Sequence, residues 1–235
     1  MQSDKESGLE IYAKVEDLLG VSEVAPKLYS YYYRELQEIP FNSLIDVGCG
    51  SGTFLAQLEQ LFPKKLFYGI DKSRIMVERA QKKGLRVANK SLSEIRRKFD
   101  LATATFDMIN YLQEDALRLF FNELSQIIQP GGYFLFDINS EYGLSELAVG
   151  SFTAEDSSRF IAIESFYEEG IYESNFTLFE REGALYRRFF GTIEQYLYQR
   201  DFFESLKGWE IKKLLPLQLY EMGEYDKELY IMQKR

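Results

Sequence analysis

Residues 43–53, SLIDVGCGSGT, place three alternating glycines directly after a short apolar run that ends in an acid. A chain that leaves a buried strand and turns at once into a helix needs residues without a Cβ, because these adopt positive φ and let a ligand approach. Gly48, Gly50 and Gly52 meet that need. The helix expected at 53–62 would point its free N–H groups at the loop. The segment predicts a ligand with an anionic or hydroxyl-rich part, with a ligand-free structural turn as the alternative.

Composition restricts the chemistry that 235 residues of this kind can perform. The chain has no histidine and a single cysteine, Cys49. An internal disulfide, a thiolate metal cluster, a Ser-His-Asp triad and an imidazole base or metal ligand are therefore excluded. Catalysis has to rely on positioning, carboxylates, tyrosines or a reactive cofactor, and no metal is expected.

Charge and hydropathy restrict the binding partners and the cellular location that we expect for this protein. The formal net charge of −9 and the pI near 4.8 argue against a nucleic-acid substrate, since neutralising phosphates requires a basic surface. No apolar run approaches the ~20 residues that span a bilayer, and the N-terminus lacks a basic start followed by an apolar stretch. We expect a soluble, cytoplasmic protein that does not bind membranes.

The order of apolar runs predicts the fold class. After two helices expected at 9–19 and 24–38, short apolar runs alternate with amphipathic stretches from residue 42 to about 138. Runs buried on both faces and separated by helix-length segments are typical of βαβ units around a parallel sheet. We expect an α/β, Rossmann-like, doubly wound and mostly parallel seven-stranded sheet that ends in a C-terminal β-hairpin.

The second part of the chain changes its pattern. Aromatic and β-branched residues alternate with polar ones between about 152 and 198, which predicts three antiparallel strands after strand 5 of the main sheet. A helix at 200–207 and two further strands would then complete the main sheet. The sequence predicts four parts: an N-terminal helical cap at 1–41, a cofactor core at 42–148, an antiparallel β insertion at 149–199, and a closing segment at 200–235.

Asp71 is the second signal in the core. It ends the apolar run LFYGI, about twenty residues beyond the glycine loop. The carboxyl end of strand 2 lies beside the nucleotide crevice of a doubly wound sheet, where an acid accepts hydrogen bonds from both ribose hydroxyls. The alternative is that Asp71 caps the helix expected at 73–83.

Four phrases, IDVGCGSGTF, YGIDKSRIMVERA, FDLATATFDMINYL and QPGGYFLFDIN, occur in this order between residues 43 and 139. Together they resemble the class I S-adenosylmethionine-dependent methyltransferases. The chain is most similar to the small-molecule branch that contains sugar-amine and glycine-type N-methyltransferases. The resemblance implies an enzyme that uses S-adenosyl-L-methionine to methylate a small molecule, at nitrogen or oxygen, by in-line displacement with positioning in place of a histidine base.

The resemblance also implies which residues bind the cofactor. One group would hold the methionine portion and open the helix, a second would bind ribose and adenine, and Phe106 would lie where the methyl group meets its acceptor. Asn89 stands where the family usually has an acid that accepts from the adenine amino group, and its amide offers both an acceptor and a donor. The remaining members are Asp46, Gly48, Cys49, Gly50 and Gly52 for the first group, and Asp71, Lys72 and Ser91 for the second.

Asp107 and Asn110 follow strand 4 and are the predicted catalytic residues. An amine acceptor has to lose a proton before it attacks, and Asp107 or a nearby tyrosine is the candidate to accept it. Each residue has a structural alternative, as a turn former for Asp107 and as a loop brace for Asn110. Tyr12 and the tyrosines at 29–33 are candidates for cofactor contact or for core packing.

The charge and aromatic content of the insertion indicate which partners the protein could bind. Its acidic bias favours an amine among small-molecule acceptors, although solubility and edge protection explain such charge as well. Its aromatics suit a pocket wall, a homodimer interface or a core of its own. Three other functions stay open: a silent cofactor-binding regulator, a nicotinamide-dependent oxidoreductase and a nucleic-acid methyltransferase. Thr53 disfavours the oxidoreductase, because the G-x-G-x-x-G fingerprint needs glycine or alanine at that position.

Overall fold

A computed structural model of the chain describes residues 3–5, 7–220 and 223–235, with the backbone alone at 3–5, so residues 1, 2 and 6 of the predicted cap lie outside the described residues. The helices are α1 (Gly8–Val15), α2 (Val21–Glu38), α3 (Thr53–Leu61), α4 (Arg74–Lys82), α5 (Glu114–Ile127) and α6 (Arg200–Glu204). The strands are β1 (Ser3–Lys5), β2 (Ser43–Val47), β3 (Leu66–Ile70), β4 (Val87–Ala88), β5 (Phe99–Ala104), β6 (Ile128–Asn139), β7 (Gly150–Glu155), β8 (Arg159–Glu168), β9 (Ile171–Glu182), β10 (Leu185–Tyr196), β11 (Trp209–Leu217) and β12 (Lys227–Lys234).

The main sheet has seven strands in the order β11-β12-β6-β5-β2-β3-β4. The five strands from β6 to β4 run parallel, and β12 is antiparallel to both β6 and β11. Every residue of β2 is buried, as expected for a central parallel strand covered on both faces. The predicted Rossmann-like class with a C-terminal hairpin is confirmed.

Helices cover both faces of this sheet and form two apolar cores. Helix α5 packs on one face through Leu117, Phe121 and Leu124. Helices α2 and α3 pack on the other, where Tyr32 and Phe54 are buried. The carboxyl ends of β2, β3 and β5 are thereby held at one edge. Among the described helices, none has both the length and the apolarity that crossing a membrane requires.

The insertion forms a second sheet of five strands in the order β1-β10-β9-β8-β7. Three of these strands match the prediction, but the sequence pattern missed β7 and did not anticipate β1. The edge strand β7 is almost wholly exposed, so its side chains carry no alternation of apolar and polar positions. Strand β1 pairs in parallel with β10 across more than 180 residues, which local sequence cannot reveal.

The predicted N-terminal cap is divided between the two sheets. Helix α1 packs on the inner face of the insertion sheet, with Ile11 and Val15 buried against Ile163 and Phe176. Helix α2 belongs to the main sheet. The first helix is also shorter than predicted, because the chain tightens into a 3₁₀ turn at Glu16–Leu18.

The QPGG segment, residues 129–132, lies within strand β6. Strand β6 begins at Ile128, which pairs with Phe99, and the register then shifts so that Leu101 pairs with Tyr133. Gly131, with φ of 77°, allows this irregularity. Helix α5 ends at Ile127, directly before this irregular start of the strand.

Candidate active site

The glycine loop, residues 48–52, leaves β2 at the carboxyl edge of the parallel strands. Gly48 and Gly50 have φ of 72° and 51°, a left-handed conformation that favours glycine. A Cβ on Gly48 would lie 2.7 Å from Cγ of Met108, so this position also lacks space. A Cβ on Gly50 would meet no atom within 4 Å. The loop is thus packed at its start and open at its middle.

Gly52 and Cys49, two other residues of the loop, contribute to packing. A Cβ on Gly52 would collide with the side chain of Leu85, so glycine lets α3 begin close to its neighbours. The thiol of Cys49 is buried beside Gly69, and burial raises the pKa of this thiol. The predicted cofactor contact of Cys49 is therefore confined to its backbone.

The end of β3 already uses three backbone donors of the loop. The N–H groups of Gly48 and Cys49 donate to the carbonyl of Ile70 at 2.8 and 3.1 Å. The N–H of Gly50 donates to the Asp71 carboxylate at 2.8 Å. With these three N–H groups occupied, this part of the loop suits a donor such as an ammonium group better than a phosphate.

Asp46 is buried in β2 and is only partly satisfied. The hydroxyl of Thr103 donates to Oδ1 at 2.7 Å, but Oδ2 has no hydrogen-bond partner among the described residues. Burial raises the pKa of Asp46 to about 7, a rise that the hydrogen bond from Thr103 opposes and the nearby Asp71 reinforces. An unpaired buried carboxylate oxygen is costly, and a cationic donor would relieve that cost.

Asp71 braces the loop from the neighbouring strand. Its carboxylate accepts from Gly50 N–H and, at 2.7 Å, from Ser73 N–H. Ser73, not Asp71, is the N-cap of α4, so the capping alternative is wrong in detail. Burial raises the pKa of Asp71, and the two backbone donors oppose this rise. Each carboxylate oxygen has a remaining lone pair, as the predicted ribose contact requires.

Asn89 and Ser91, predicted around adenine, already have internal partners. The Asn89 amide nitrogen donates to the carbonyls of Asp71 and Lys72 at 2.9 and 2.8 Å, so the amide oxygen alone is left for a cofactor. Ser91 caps a short 3₁₀ helix, and its backbone N–H and hydroxyl both contact Glu94. Its role in cofactor binding has no support in this geometry.

A strained turn follows β5. Phe106 and Asp107 have φ of 57° and 51°, and a left-handed non-glycine residue costs about 1–2 kcal/mol. Their N–H groups donate to the two oxygens of Asp137 at 2.9 and 3.0 Å. The Phe106 ring packs edge-on against Tyr29, with centroids 5.7 Å apart. Asp137 in β6 therefore stabilises the turn, and sequence analysis missed it.

The Asp107 carboxylate lies where three parts of the chain meet. Lys227 of β12 donates to one oxygen, and the amide of Gln195 in β10 donates to the other. Tyr12, Tyr111 and Tyr220 lie within electrostatic range of Asp107, and burial is the main cause that raises the pKa of each phenol. The surroundings of the Asp107 carboxylate are thus polar and rich in tyrosine, and they are formed by α1, the insertion sheet and the main sheet together.

Asn110 lies nearby but is engaged in holding the loop. It is completely buried, its amide nitrogen donates to the carbonyl of Tyr196 at 2.9 Å, and its amide oxygen accepts from Asn139 N–H at 3.0 Å. This arrangement favours the bracing alternative over the predicted catalytic role.

The structure thus brings together the predicted residues at the ends of β2, β3 and β5, and adds partners that sequence analysis did not single out. The one available signal was Asp137, an acid inside the otherwise apolar run YFLFDI. Thr103, Gln195 and Lys227 gave no local signal, because each becomes relevant only through pairing with a distant segment.

Known proteins share the domain and the fold. Residues 44–132 match a family model described as a methyltransferase domain. A malonyl-[acyl-carrier protein] O-methyltransferase of Legionella pneumophila is 31% identical over 128 residues, which cover 52% of this chain and 45% of that protein. The chain therefore aligns with less than half of this relative's length.

Solved structures match over almost the whole chain. An S-adenosylmethionine-dependent methyltransferase from Clostridium acetobutylicum aligns with a TM-score of 0.77 and 27% identity, covering 95% of this chain and 99% of that one. A sugar N-methyltransferase from a Streptoalloteichus species aligns with a TM-score of 0.67 and 20% identity, covering 88% and 87%. The second likeness is one of fold.

Proposed function

Because the chain belongs to the class I S-adenosylmethionine-dependent methyltransferases, we propose that it transfers a methyl group to a nitrogen or oxygen atom of a small-molecule acceptor. One observation supports the cofactor assignment above the others. The free oxygen of buried Asp46 lies beside a loop whose first three N–H groups are occupied, which matches the ammonium of a methionine portion. A dinucleotide pyrophosphate would need such N–H donors, and this disfavours the nicotinamide alternative.

The remaining contacts are proposed from the same edge of the sheet. Asp71 would accept from the ribose hydroxyls, the oxygen of Asn89 from the adenine amino group, and Lys72 would border the ring. When bound, S-adenosylmethionine supplies an activated methyl group and its own leaving group. The protein then has to align the acceptor and exclude water, and alignment alone can contribute about 7–11 kcal/mol.

We propose nitrogen of an amine as the accepting atom. The ion-paired cluster at this turn contains two carboxylates, those of Asp107 and Asp137, and one ammonium group, that of Lys227. A carboxylate acceptor would need a free cation, and Lys227 is already paired twice. Asp107 is the candidate to hold the amine and to receive its proton. Oxygen of a carboxylate, suggested by the Legionella relative, is the second candidate.

We also propose how the parts divide the work. Residues 42–148 bind the cofactor, 149–199 form the acceptor wall, 200–235 complete the main sheet, and helix α1 covers the site between them. The outer face of the insertion sheet exposes Phe166 and Ile171, which supports the homodimer interface predicted there. A cytoplasmic location remains part of the proposal.

Calorimetric titration with S-adenosylmethionine and S-adenosylhomocysteine tests the cofactor. Binding by the purified protein is expected, and it should weaken in Asp71→Ala while the nicotinamide dinucleotides do not bind. If neither S-adenosylmethionine nor S-adenosylhomocysteine binds, the proposal is refuted.

A panel of matched acceptors tests the reaction. Cyclohexylamine, cyclohexanol and cyclohexanecarboxylate share one ring and differ in the accepting group, and amino sugars extend the amine arm. Release of S-adenosylhomocysteine with an amine alone supports N-methylation, and release with the carboxylate alone refutes it. Cofactor binding with no turnover on a broad panel would favour the silent regulatory protein.

A further inference from the structure

A buried charged cluster lies behind the turn at Phe106 and Asp107. The ammonium of Lys227 donates to Asp107 Oδ1 and, at 3.0 Å, to Asp137 Oδ2. The side chain of Lys227 is 5% exposed, that of Asp137 0%, and that of Asp107 13%. Asp107 is therefore the member of the cluster that reaches the tyrosine-rich site.

Asp137 has no acceptor capacity left for a ligand. Tyr32 O–H and Phe106 N–H donate to its Oδ1 at 2.7 and 2.9 Å, and Asp107 N–H and Lys227 donate to its Oδ2, both at 3.0 Å. Four donors fill the lone pairs of one carboxylate. Asp137 thus acts on the turn and not on a substrate.

Lys227 supplies the charge that makes this arrangement tolerable. A fully buried carboxylate without a counter-ion would be strongly unfavourable. Burial alone would lower the pKa of Lys227, but Asp107 and Asp137 outweigh it and hold that pKa above its ordinary value. The lysine therefore remains an ammonium, which neutralises Asp137 and also fixes one oxygen of Asp107.

The turn that Lys227 supports also touches the glycine loop. Met108, the next residue, fills the space that a Cβ on Gly48 would need. Two consecutive left-handed non-glycine residues persist only where their surroundings determine them. The hydrogen bonds of Asp137 and Lys227 are the surroundings that do so.

We propose that Lys227 is a positioning residue, which holds the left-handed turn and orients the Asp107 carboxylate toward the methyl acceptor. It acts through Asp107 and Asp137 and does not contact the reacting atoms. The orientation of Asp107 toward an acceptor rests on the proposed methyltransferase function, but the support of the turn does not.

Hydrogen exchange of the Phe106 and Asp107 amides is the primary test, with the protein saturated with S-adenosylhomocysteine. Lys227→Met is expected to accelerate exchange of both amides about 10-fold, since local opening becomes easier. Lys227→Arg restores the charge and should stay close to the parent protein. The matched control is Lys213→Met, which removes a half-exposed lysine of the same hairpin that pairs with Glu35 at 2.6 Å. It should leave both amides unchanged.

Turnover separates positioning from general support of the fold. With whichever amine of the acceptor panel is methylated, Lys227→Met should lower kcat about 100-fold, a loss typical of a misplaced group, with little change in the KM for S-adenosylmethionine. Lys227→Arg should recover most of kcat. Circular dichroism verifies folding, and Lys227→Gln, which keeps a donor without the charge, replaces Lys227→Met if that variant does not fold.

The outcomes separate the two proposals. Unchanged exchange of the turn in a folded Lys227→Met or Lys227→Gln variant overturns the inference, whatever the cofactor result. Faster exchange with unchanged kcat overturns the orientation of Asp107. Failure of the parent protein to bind S-adenosylhomocysteine refutes the proposed function, and the exchange measurement on the ligand-free protein then still decides whether Lys227 holds the turn.

Discussion

The guanidinium of Arg79 donates a hydrogen bond to the carbonyl of Ala13 at 2.9 Å, so helix α4 of the cofactor core holds the end of α1. From the insertion sheet, Arg159 donates to the carbonyl of Lys14 at 2.6 Å and pairs with Asp17 at 2.7 Å. Two arginines, one from helix α4 and one from the insertion sheet, thus bind the carboxyl end of one helix.

Loss of Arg79 should loosen α1 over the site. Removing one hydrogen bond to a charged group costs about 1–2 kcal/mol, and Arg79→Met should accelerate exchange of the α1 amides roughly 5- to 30-fold. Arg74→Met is the control on the same helix, because Arg74 is highly exposed and pairs with Glu78 alone among the described contacts. Equal exchange of α1 in both variants would contradict the prediction.

Affinity for S-adenosylhomocysteine should rise with pH through about 7. The folded, ligand-free protein holds the pKa of Asp46 above its ordinary value, so below about pH 7 the carboxyl is protonated and must release a proton to bind an ammonium. We expect affinity to increase about 25-fold from pH 5.5 to 7.5.

Asp46→Asn should remove this dependence, and Asp115→Asn, in the exposed first turn of α5, should retain it. Calorimetry in two buffers of different ionisation enthalpy measures the proton release directly. The stability of the ligand-free protein should change with pH in the opposite direction. Because folding raises the pKa of the Asp46 carboxyl, this group stabilises the fold at low pH, and its contribution is lost as pH rises from about 4 to 7. A pH-independent affinity would argue against an ammonium at Asp46.

Alanine at Gly48 and at Gly50 should have separable effects. Both positions have positive φ, so each substitution costs about 1–2 kcal/mol of backbone strain. The Cβ at position 48 must also displace Met108, whereas the Cβ at position 50 enters open space. Gly48→Ala should lower Tm more, and Gly50→Ala should mainly weaken binding of S-adenosylhomocysteine. Thermal melts and titrations of both variants check this, and a reversed order would contradict it.

Asp107 and Asn110 should differ in what their loss affects. Asp107→Asn is expected to lower kcat about 100-fold with S-adenosylhomocysteine affinity retained, as for a lost proton acceptor. Asn110→Ala leaves the carbonyl of Tyr196 and the N–H of Asn139, both on half-buried residues, without this partner, so the unfolding free energy should fall by about 1–3 kcal/mol. Normal stability with abolished turnover in Asn110→Ala would restore its catalytic assignment.

Local sequence was sufficient for the part of the site built from neighbouring residues. The glycine loop, Asp46 and Asp71 lie at strand ends, where βαβ topology brings successive turns to one edge of the sheet. Their approximate positions therefore follow from the order of strands and glycines. The hydrogen bonds between them, such as the one that Gly50 N–H donates to Asp71, do not.

The acceptor side could not be predicted in the same way. Lys227 meets Asp107 across 120 residues and Asp137 across 90, and nothing beside Lys227 in the sequence distinguishes it from a solvated lysine. Strand β1 was missed for a related reason, because its pairing depends on backbone hydrogen bonds to a strand more than 180 residues away. Edge strand β7 pairs with its neighbour β8 and was missed because its exposed side chains show no alternation. Periodicity reports which face of an element is buried, and it does not report the partner.

The position of Lys227 in β12 also sets when the acceptor side becomes complete. A growing chain can form the glycine loop and its neighbouring strands once β5 has been made, but Asp137 remains without its counter-ion until β12 emerges. The insertion sheet and α1 are synthesised earlier and fold around an unfinished cluster. Strand β12 is consequently the segment that completes the proposed acceptor side.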